Sequence, residues 1–120
     1  MEIQFLNDKT ESQDWNRFLS ENNGSFLQSF EWGEFERSLG KNIWRIRIKE
    51  GEKIVAQSLI IEEVFPLKKK TCLYIPFGPV LNLGLMPDEQ QSIIGFILDQ
   101  IKIIAKKQGS VFLRIEPNTE

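Results

Sequence analysis

Histidine is missing from this 120-residue chain, and cysteine occurs once, at Cys72. The first absence removes the commonest general base and with it every Ser-His or Cys-His pairing. With one thiol and no imidazole, the chain also lacks the ligand set for a zinc site. A lone cysteine forms no internal disulfide, which agrees with a reducing compartment. Neither GxxxxGK[ST] nor GxGxxG occurs, so no phosphate-cradling loop of either kind is expected. No apolar run reaches the length of a bilayer crossing, and the N-terminus has no basic stretch followed by an apolar one. Charge of neither sign dominates: 15 Lys and Arg stand against 17 Asp and Glu, a net of −2. An electrostatic nucleic-acid binder is thereby disfavoured. The expectation is a soluble, cytoplasmic chain with nothing that suggests self-contained catalysis.

What is present is an ordinary globular balance. A hydrophobic fraction of 41% and a mean hydropathy of −0.27 exclude a disordered tail, and the length allows one domain with one core. Glu2-Ile3-Gln4-Phe5-Leu6 alternates as a short strand. Thr10 with Gln13 fits a capping box, and Trp15, Phe18 and Leu19 then recur at helical spacing until Asn22-Asn23-Gly24. Ser29 is placed to cap a second helix, with Trp32, Phe35 and Leu39 on one face and Gly40 to stop it.

From Ile43 the period changes to two. Trp44, Ile46 and Ile48 alternate with Arg45, Arg47 and Lys49, the pattern of a half-buried strand. Glu50-Gly51-Glu52-Lys53 reads as a hairpin turn, and Ile54 to Val64 as a more continuously apolar, central strand. Lys68-Lys69-Lys70 is the one basic cluster, expected as a solvated turn, with phosphate or anionic lipid as the alternative contact. Cys72 to Ile75 completes a meander that Pro76-Phe77-Gly78-Pro79 interrupts.

The clearest helix runs from about Pro87 to Gln108. It carries Pro87, Asp88 and Glu89 at its start, the stripe Ile93, Ile94, Ile97, Leu98, Ile101, Ile104 and Ala105, and Gly109 as its stop. Val111 to Ile115 is the last strand, ended by Pro117. The predicted order is β-α-α-β-β-β-α-β: an α+β plan with an antiparallel meander, a crossover helix and a return strand, left at a sheet edge.

Several residues admit two readings. Trp32 and Phe35 read first as core, and Gln28 and Ser29 as satisfying donors at the start of the helix. Pro76-Phe77-Gly78-Pro79 is either a rigid strand exit or a wall of a substrate cleft. Arg114 and Glu116 flank Ile115, so they share a face, either as an exposed ion pair or as polar groups on a cleft floor. Glu62 and Glu63 cannot share a strand face, which disfavours a two-carboxylate mechanism there.

Taken in order, Phe26-Leu27-Gln28-Ser29-Phe30-Glu31-Trp32-Gly33-Glu34-Phe35, Gly40, Ile54-Val55-Ala56, Tyr74-Ile75-Pro76-Phe77-Gly78-Pro79-Val80 and Leu113-Arg114-Ile115-Glu116-Pro117 form a series. The series resembles the FemAB-type peptidoglycan-bridge aminoacyltransferases, the methicillin-resistance-factor family, from about Ile3 to Pro117. The resemblance implies a GNAT-like (acetyltransferase-like) fold and the N-terminal part of the first of two such domains. It implies transfer of an amino acid from aminoacyl-tRNA to the stem peptide of a lipid- or UDP-linked peptidoglycan precursor. No metal or nucleotide cofactor is implied, and a peripheral contact with the inner membrane face is.

Aminolysis of an ester needs alignment and oxyanion stabilisation more than a strong nucleophile. The candidate substrate-binding positions are Gln28, Trp32, Glu36, Phe77, Gly78, Arg114 and Glu116, of which Glu36 and Glu116 are carried over by the resemblance. Glu116 matches an acidic family position. Glu36 falls where characterised members carry a lysine, a reversed charge that would repel a diphosphate. No catalytic residue is assigned, because the groups nearest the reacting centre are expected beyond Glu120, leaving this chain a truncated unit inactive alone. Two other readings stand beside this one: a non-catalytic binding module, and a GNAT-like N-acyltransferase using an acyl-CoA or acyl-carrier donor.

Overall fold

A computed structural model describes residues 1–65, 70–110 and 113–117. Strand β1 (Glu2–Phe5) leads through a 3-10 turn into α1 (Ser12–Glu21), and a second 3-10 turn (Phe26–Gln28) leads into α2 (Phe30–Ser38). Strands β2 (Ile43–Glu50), β3 (Lys53–Phe65), β4 (Lys70–Pro76) and β5 (Val80–Leu81) follow, then α3 (Pro87–Gln108) and β6 (Leu113–Glu116). The expected α+β order is found with one addition, the two-residue β5. Val111, where the last strand was expected to begin, and Lys68 and Lys69 of the expected basic turn lie outside the described residues; Lys70 opens β4.

Local chemistry explains most boundaries. The Ser29 hydroxyl accepts the Trp32 N–H at 3.0 Å and starts α2 as expected. At α1 the expected Thr10–Gln13 box does not form. Asp8 accepts the Thr10 N–H at 3.0 Å instead, and the helix grows out of that 3-10 turn without a side-chain cap. At α3 Pro87 occupies the first turn, while Glu89 accepts the Met86 N–H at 3.0 Å.

The sheet runs β1-β2-β3-β4-β6. Neighbours are antiparallel through β4, and β6 returns parallel to β4 after the crossover helix. The apolar β3 is central, as its composition suggests. It pairs with β4 up to Ile61↔Tyr74 and resumes with β5 at Gln57↔Val80. Four steps along β3 therefore face six along the other chain, and Pro76-Phe77-Gly78-Pro79 absorbs the excess.

Two cores flank the sheet. Under α3, Ile93, Ile97, Ile101 and Ile104 pack on Ile46, Ile48, Ile60, Leu73 and Ile75, each such side chain contributing about 1.5–3 kcal/mol on burial. Ile94 of the expected stripe is exposed instead, and Phe96 packs against the core in its place. Under α1 and α2, Trp15, Phe18, Leu19 and Phe30 pack on Ile43, Leu59 and Ile61. This second layer corrects the reading of β2 as half-buried. Arg45 is 0% exposed and Arg47 7%, because α1 and α2 cover the face on which the alternation placed solvent.

Candidate functional site

The phase of α2 decides which of its residues are available. A Cβ at Gly33 would lie 2.7 Å from Arg45 Nη2 and 3.1 Å from Leu59 Cδ1, so only glycine lets the helix approach the sheet here. Arg45 Nη2 donates to Phe30 O at 2.9 Å and to Glu34 at 2.7 Å, with its guanidinium carbon 3.6 Å from the Phe30 ring centroid. Burial opposes the Glu34 charge, but the Arg45 hydrogen bond and its charge outweigh that and lower the Glu34 pKa.

With the helix anchored through Phe30, Gly33 and Glu34, the expected apolar face turns outward. Phe26, Phe35 and Leu39 are 65%, 49% and 58% exposed, and Trp32 is half-buried. Ring centroids lie 5.9 Å apart for Phe26–Trp32 and 5.1 Å for Trp32–Phe35, making a continuous aromatic row. The core assignment of Phe35 is thereby corrected, while Trp32 is partly buried against the core under α1 and α2.

Gln28 and Gly78 meet. The Gln28 side chain is fully buried; Nε2 donates to Pro76 O at 2.7 Å and Leu59 O at 3.3 Å, and Oε1 accepts the Leu59 N–H at 2.7 Å. Leu59 lies in the stretch of β3 that neither β4 nor β5 reaches, so this carboxamide stands in for the missing strand. A Cβ on Gly78 would come 2.7 Å from the Gln28 carboxamide carbon, so the glycine is what admits the side chain. Both residues hold the frame rather than present groups at the surface. Beside them Phe77 is half-buried at φ 49°, and the Gly78–Pro79 peptide is cis.

Glu36, placed by resemblance at a phosphate-binding position, is buried and paired. Lys41 Nζ donates to it at 2.6 Å and to Glu63 at 3.1 Å. Burial disfavours the Lys41 ammonium, yet the bonds to Glu36 and Glu63 and their charges hold its pKa above the ordinary value. A cation therefore stands next to the reversed charge. Glu62 points the other way, where Asn42 Nδ2 donates to it at 2.9 Å, so the two adjacent carboxylates do not share a face.

The remaining pair sits where two parallel strands end. Register places Arg114 beside Tyr74 and Glu116 beside Pro76, after which β4 swings away toward β5. Tyr74 pairs with Ile61, a residue of the core under α1 and α2, so Tyr74, Arg114 and Glu116 occupy that face of the sheet. Helix α2 packs over β2 and β3, and the Arg114 and Glu116 side chains are 61% and 34% exposed. The carboxyl ends of diverging parallel strands are the common ligand position in such sheets.

Arg114 donates to Glu116, and its guanidinium carbon lies 4.8 Å from the Tyr74 ring centroid. Burial, and then the hydrogen bond to Glu116 and its charge, raise the Tyr74 pKa above its ordinary value. The Tyr74 phenol and the Arg114 guanidinium thus meet at the Glu116 carboxylate. Tyr74 is the member that sequence reading left out of the site; its one signal was its place at the head of Tyr74-Ile75-Pro76-Phe77-Gly78-Pro79-Val80. Glu31 turns to α1 through Asn16 at 2.8 Å, and Glu34 to β2. Trp32 packs between Phe26 and Phe35 and against the core under α1 and α2, while Glu36 is tied through Lys41 to Glu63 of β3.

The sequence model described as the FemAB family matches residues 10–120. No curated protein matches. Among solved structures, FemX superposes with a TM-score of 0.80 at 24% identity, over 100% of this chain and 28% of FemX. A probable acetyltransferase gives a TM-score of 0.70 at 11% identity, over 100% of this chain and 81% of its own. The ribosomal-protein-alanine N-acetyltransferase of Brucella melitensis biovar Abortus 2308 gives 0.72 at 9%, over 99% and 83%. The fold is therefore the acetyltransferase-like one that the element order suggested, and the chain spans just over a quarter of the length of FemX. Among the described residues, no helix is long and apolar enough to cross a membrane.

Proposed function

The chain belongs to the FemAB family, and from that premise we propose that it forms the acceptor side of an aminoacyltransferase of peptidoglycan-bridge synthesis. In this reading an amine of a precursor stem peptide attacks the ester carbonyl of an aminoacyl-tRNA at the cytoplasmic side of the membrane. The C–N bond forms, the ester C–O bond breaks, and the amine proton ends on the released ribose oxygen. The observation that carries the reading is the Tyr74–Arg114–Glu116 group at the end of the β4–β6 pair. Glu116 accepts a hydrogen bond from the incoming amine and orients it. Arg114 and Tyr74 fix the carboxylate. Alignment of this kind supplies a large share of an aminolysis barrier. Lys41 is held between Glu36 and Glu63, so that cluster is net negative and is assigned no anionic part of the precursor.

An acyl-CoA donor is the weaker reading. The start of α3, an obvious anion position, carries Asp88 and Glu89, with Pro87 lacking an N–H and Glu89 already bonded to the Met86 N–H. A non-catalytic binding module is favoured only by the exposed aromatic row. The test is transfer of labelled amino acid from aminoacyl-tRNA to a pentapeptide precursor by the full-length gene product. Glu116→Gln is expected to lower kcat/KM about 100-fold. Full activity in that variant would remove Glu116 from the reaction, and inactivity of the unaltered protein would favour the binding module.

A further inference from the structure

Beneath α1 and α2 the sheet buries two cations. Arg45 and Arg47 stand two apart on β2, so they share its covered face, about 7 Å apart along the strand. Arg45 uses Nη2 on Phe30 O and Glu34, and Arg47 uses Nε on Gln57 Oε1 at 2.8 Å. Arg45 Nε and Nη1 and Arg47 Nη2 are enclosed and find no acceptor among the described residues. Nearly all buried donors in native proteins have a partner, and an orphaned one points to an ordered water or an ion.

The charge is unbalanced as well. Among the described residues the ion pairs join Arg45 to Glu34 and give Arg47 none, and Glu34 is shared with Arg37 at 3.5 Å. Glu11 and Asp14, at the start of α1, attract Arg47 from beyond ion-pair distance; Asp14 is 59% exposed and engaged with Arg17. Burial lowers the pKa of both arginines, opposed by Glu34 at Arg45 and by Glu11 and Asp14 at Arg47. A guanidinium nevertheless keeps its proton in proteins, so the positive charge stays enclosed. The cover over it is fixed. Trp15 O accepts Gln57 Nε2 at 3.0 Å, Trp15 Nε1 donates to Gln28 O at 2.8 Å, and Asn16 Oδ1 accepts the Phe30 N–H at 2.9 Å.

We propose that the seam beneath α1 and α2 is an internal site for a monovalent anion of halide size, held by Arg45 Nε and Nη1 and Arg47 Nη2. Two donors, each about 3 Å from one central acceptor, span about 6 Å, in keeping with the spacing of the two arginines along β2. Water would answer the hydrogen bonds and leave the charge. Sulfate or phosphate is larger and more highly charged than a layer closed to solvent admits. An ion here joins β2 to both helices, so it acts on the docking of the α1–α2 layer. The inference holds whether or not the transfer reaction proposed above is correct.

The experiment has two arms, both on the full-length protein. Thermal unfolding is compared in sodium chloride, sodium bromide and sodium gluconate at equal ionic strength, which cancels general screening. The halides are expected to raise Tm by about 2–4 °C over gluconate. Arg47→Met, with its folding checked by circular dichroism, should abolish that difference. Crystals grown in bromide form the second arm, which stays readable if the variant misfolds. An anomalous peak is expected in contact with Arg45 Nη1 and Arg47 Nη2. A halide effect that survives in Arg47→Met, or density at the seam without an anomalous signal, would overturn the proposal, the latter by assigning water. Equal Tm in halide and gluconate would overturn it too, and a bromide peak beside it would then be binding at crystal concentration only.

Discussion

The two faces of the sheet are packed by different means. Under α3 the contact cluster is built from aliphatic side chains: Ile93, Ile97 and Ile101 against Ile46, Ile48, Leu73 and Ile75. Under α1 and α2 the apolar residues are threaded by buried polar groups: Gln28, Glu36, Arg45, Arg47 and Gln57. Aliphatic burial scales with area and tolerates exchange among shapes of equal volume. A buried carboxamide or guanidinium is satisfied in one arrangement, and losing a partner leaves a desolvated group behind. The first face therefore supplies cohesion, while the second fixes where α2, Gln28 and the Phe77 connection lie. The candidate site belongs to the second.

The contrast can be broken most severely at its apolar centre. Trp15→Ala removes a fully buried ring and the Nε1–H bond to Gln28 O at 2.8 Å, and is expected to cost about 4 kcal/mol in denaturant unfolding. Next comes Glu34→Ala, which strands the buried Arg45 charge. About 3 kcal/mol is expected, whereas Arg45→Met, which removes the charge itself while Glu34 reaches water, should be near neutral. Equal losses in the two variants would deny that charge burial governs this face.

Gln28→Ala should cost about 2 kcal/mol by orphaning Leu59, and Gly78→Ala a similar amount by collision. Because truncating Gln28 vacates the space that the new methyl at position 78 would need, the double variant should be more stable than additivity predicts by about 1 kcal/mol. On the aliphatic face, Ile97→Leu should cost about 1 kcal/mol; a loss matching that of Glu34→Ala would dissolve the distinction.

The smallest expected effect is on pH dependence. Glu34 has a folded pKa below its ordinary 4.5, so its contribution is present above that value and lost as pH falls through the carboxylate range. Lys41 has one above its ordinary 10.5, so its contribution is present below that value and lost as pH rises beyond it. Glu34→Gln should flatten the acid limb alone and Lys41→Met the alkaline limb alone.

Sequence periodicity served the aliphatic face better. The spacing of Ile93, Ile97, Ile101 and Ile104, with Pro87 before and Gly109 after, marks α3 from end to end, and the apolar run of β3 marks its central place. On the other face the same reasoning erred twice for one cause. The row Trp32, Phe35 and Leu39 has the period of a buried stripe, yet the helix is seated by Gly33, which adds nothing to a hydrophobic pattern. The alternation of Arg45 and Arg47 in β2 is that of a solvated face, and nothing local to the strand reveals that two helices cover it. Of the candidate site, Arg114 and Glu116 were legible as a same-face pair. Tyr74 was not, because its partnership arises from register between β4 and β6, strands separated in sequence by the whole of α3.

The Gln28 carboxamide also ties three distant stretches of chain into one event. Its bonds to Leu59 and Pro76 span 31 and 48 residues. The Leu59 amide therefore gains no protection from its neighbours in β4 or β5 as the meander zips. It becomes shielded from solvent exchange only when the turn before α2 has docked. In hydrogen-exchange labelling, that single amide would act as a clock for the arrival of the whole α1–α2 layer, separate from the growth of the sheet beneath it.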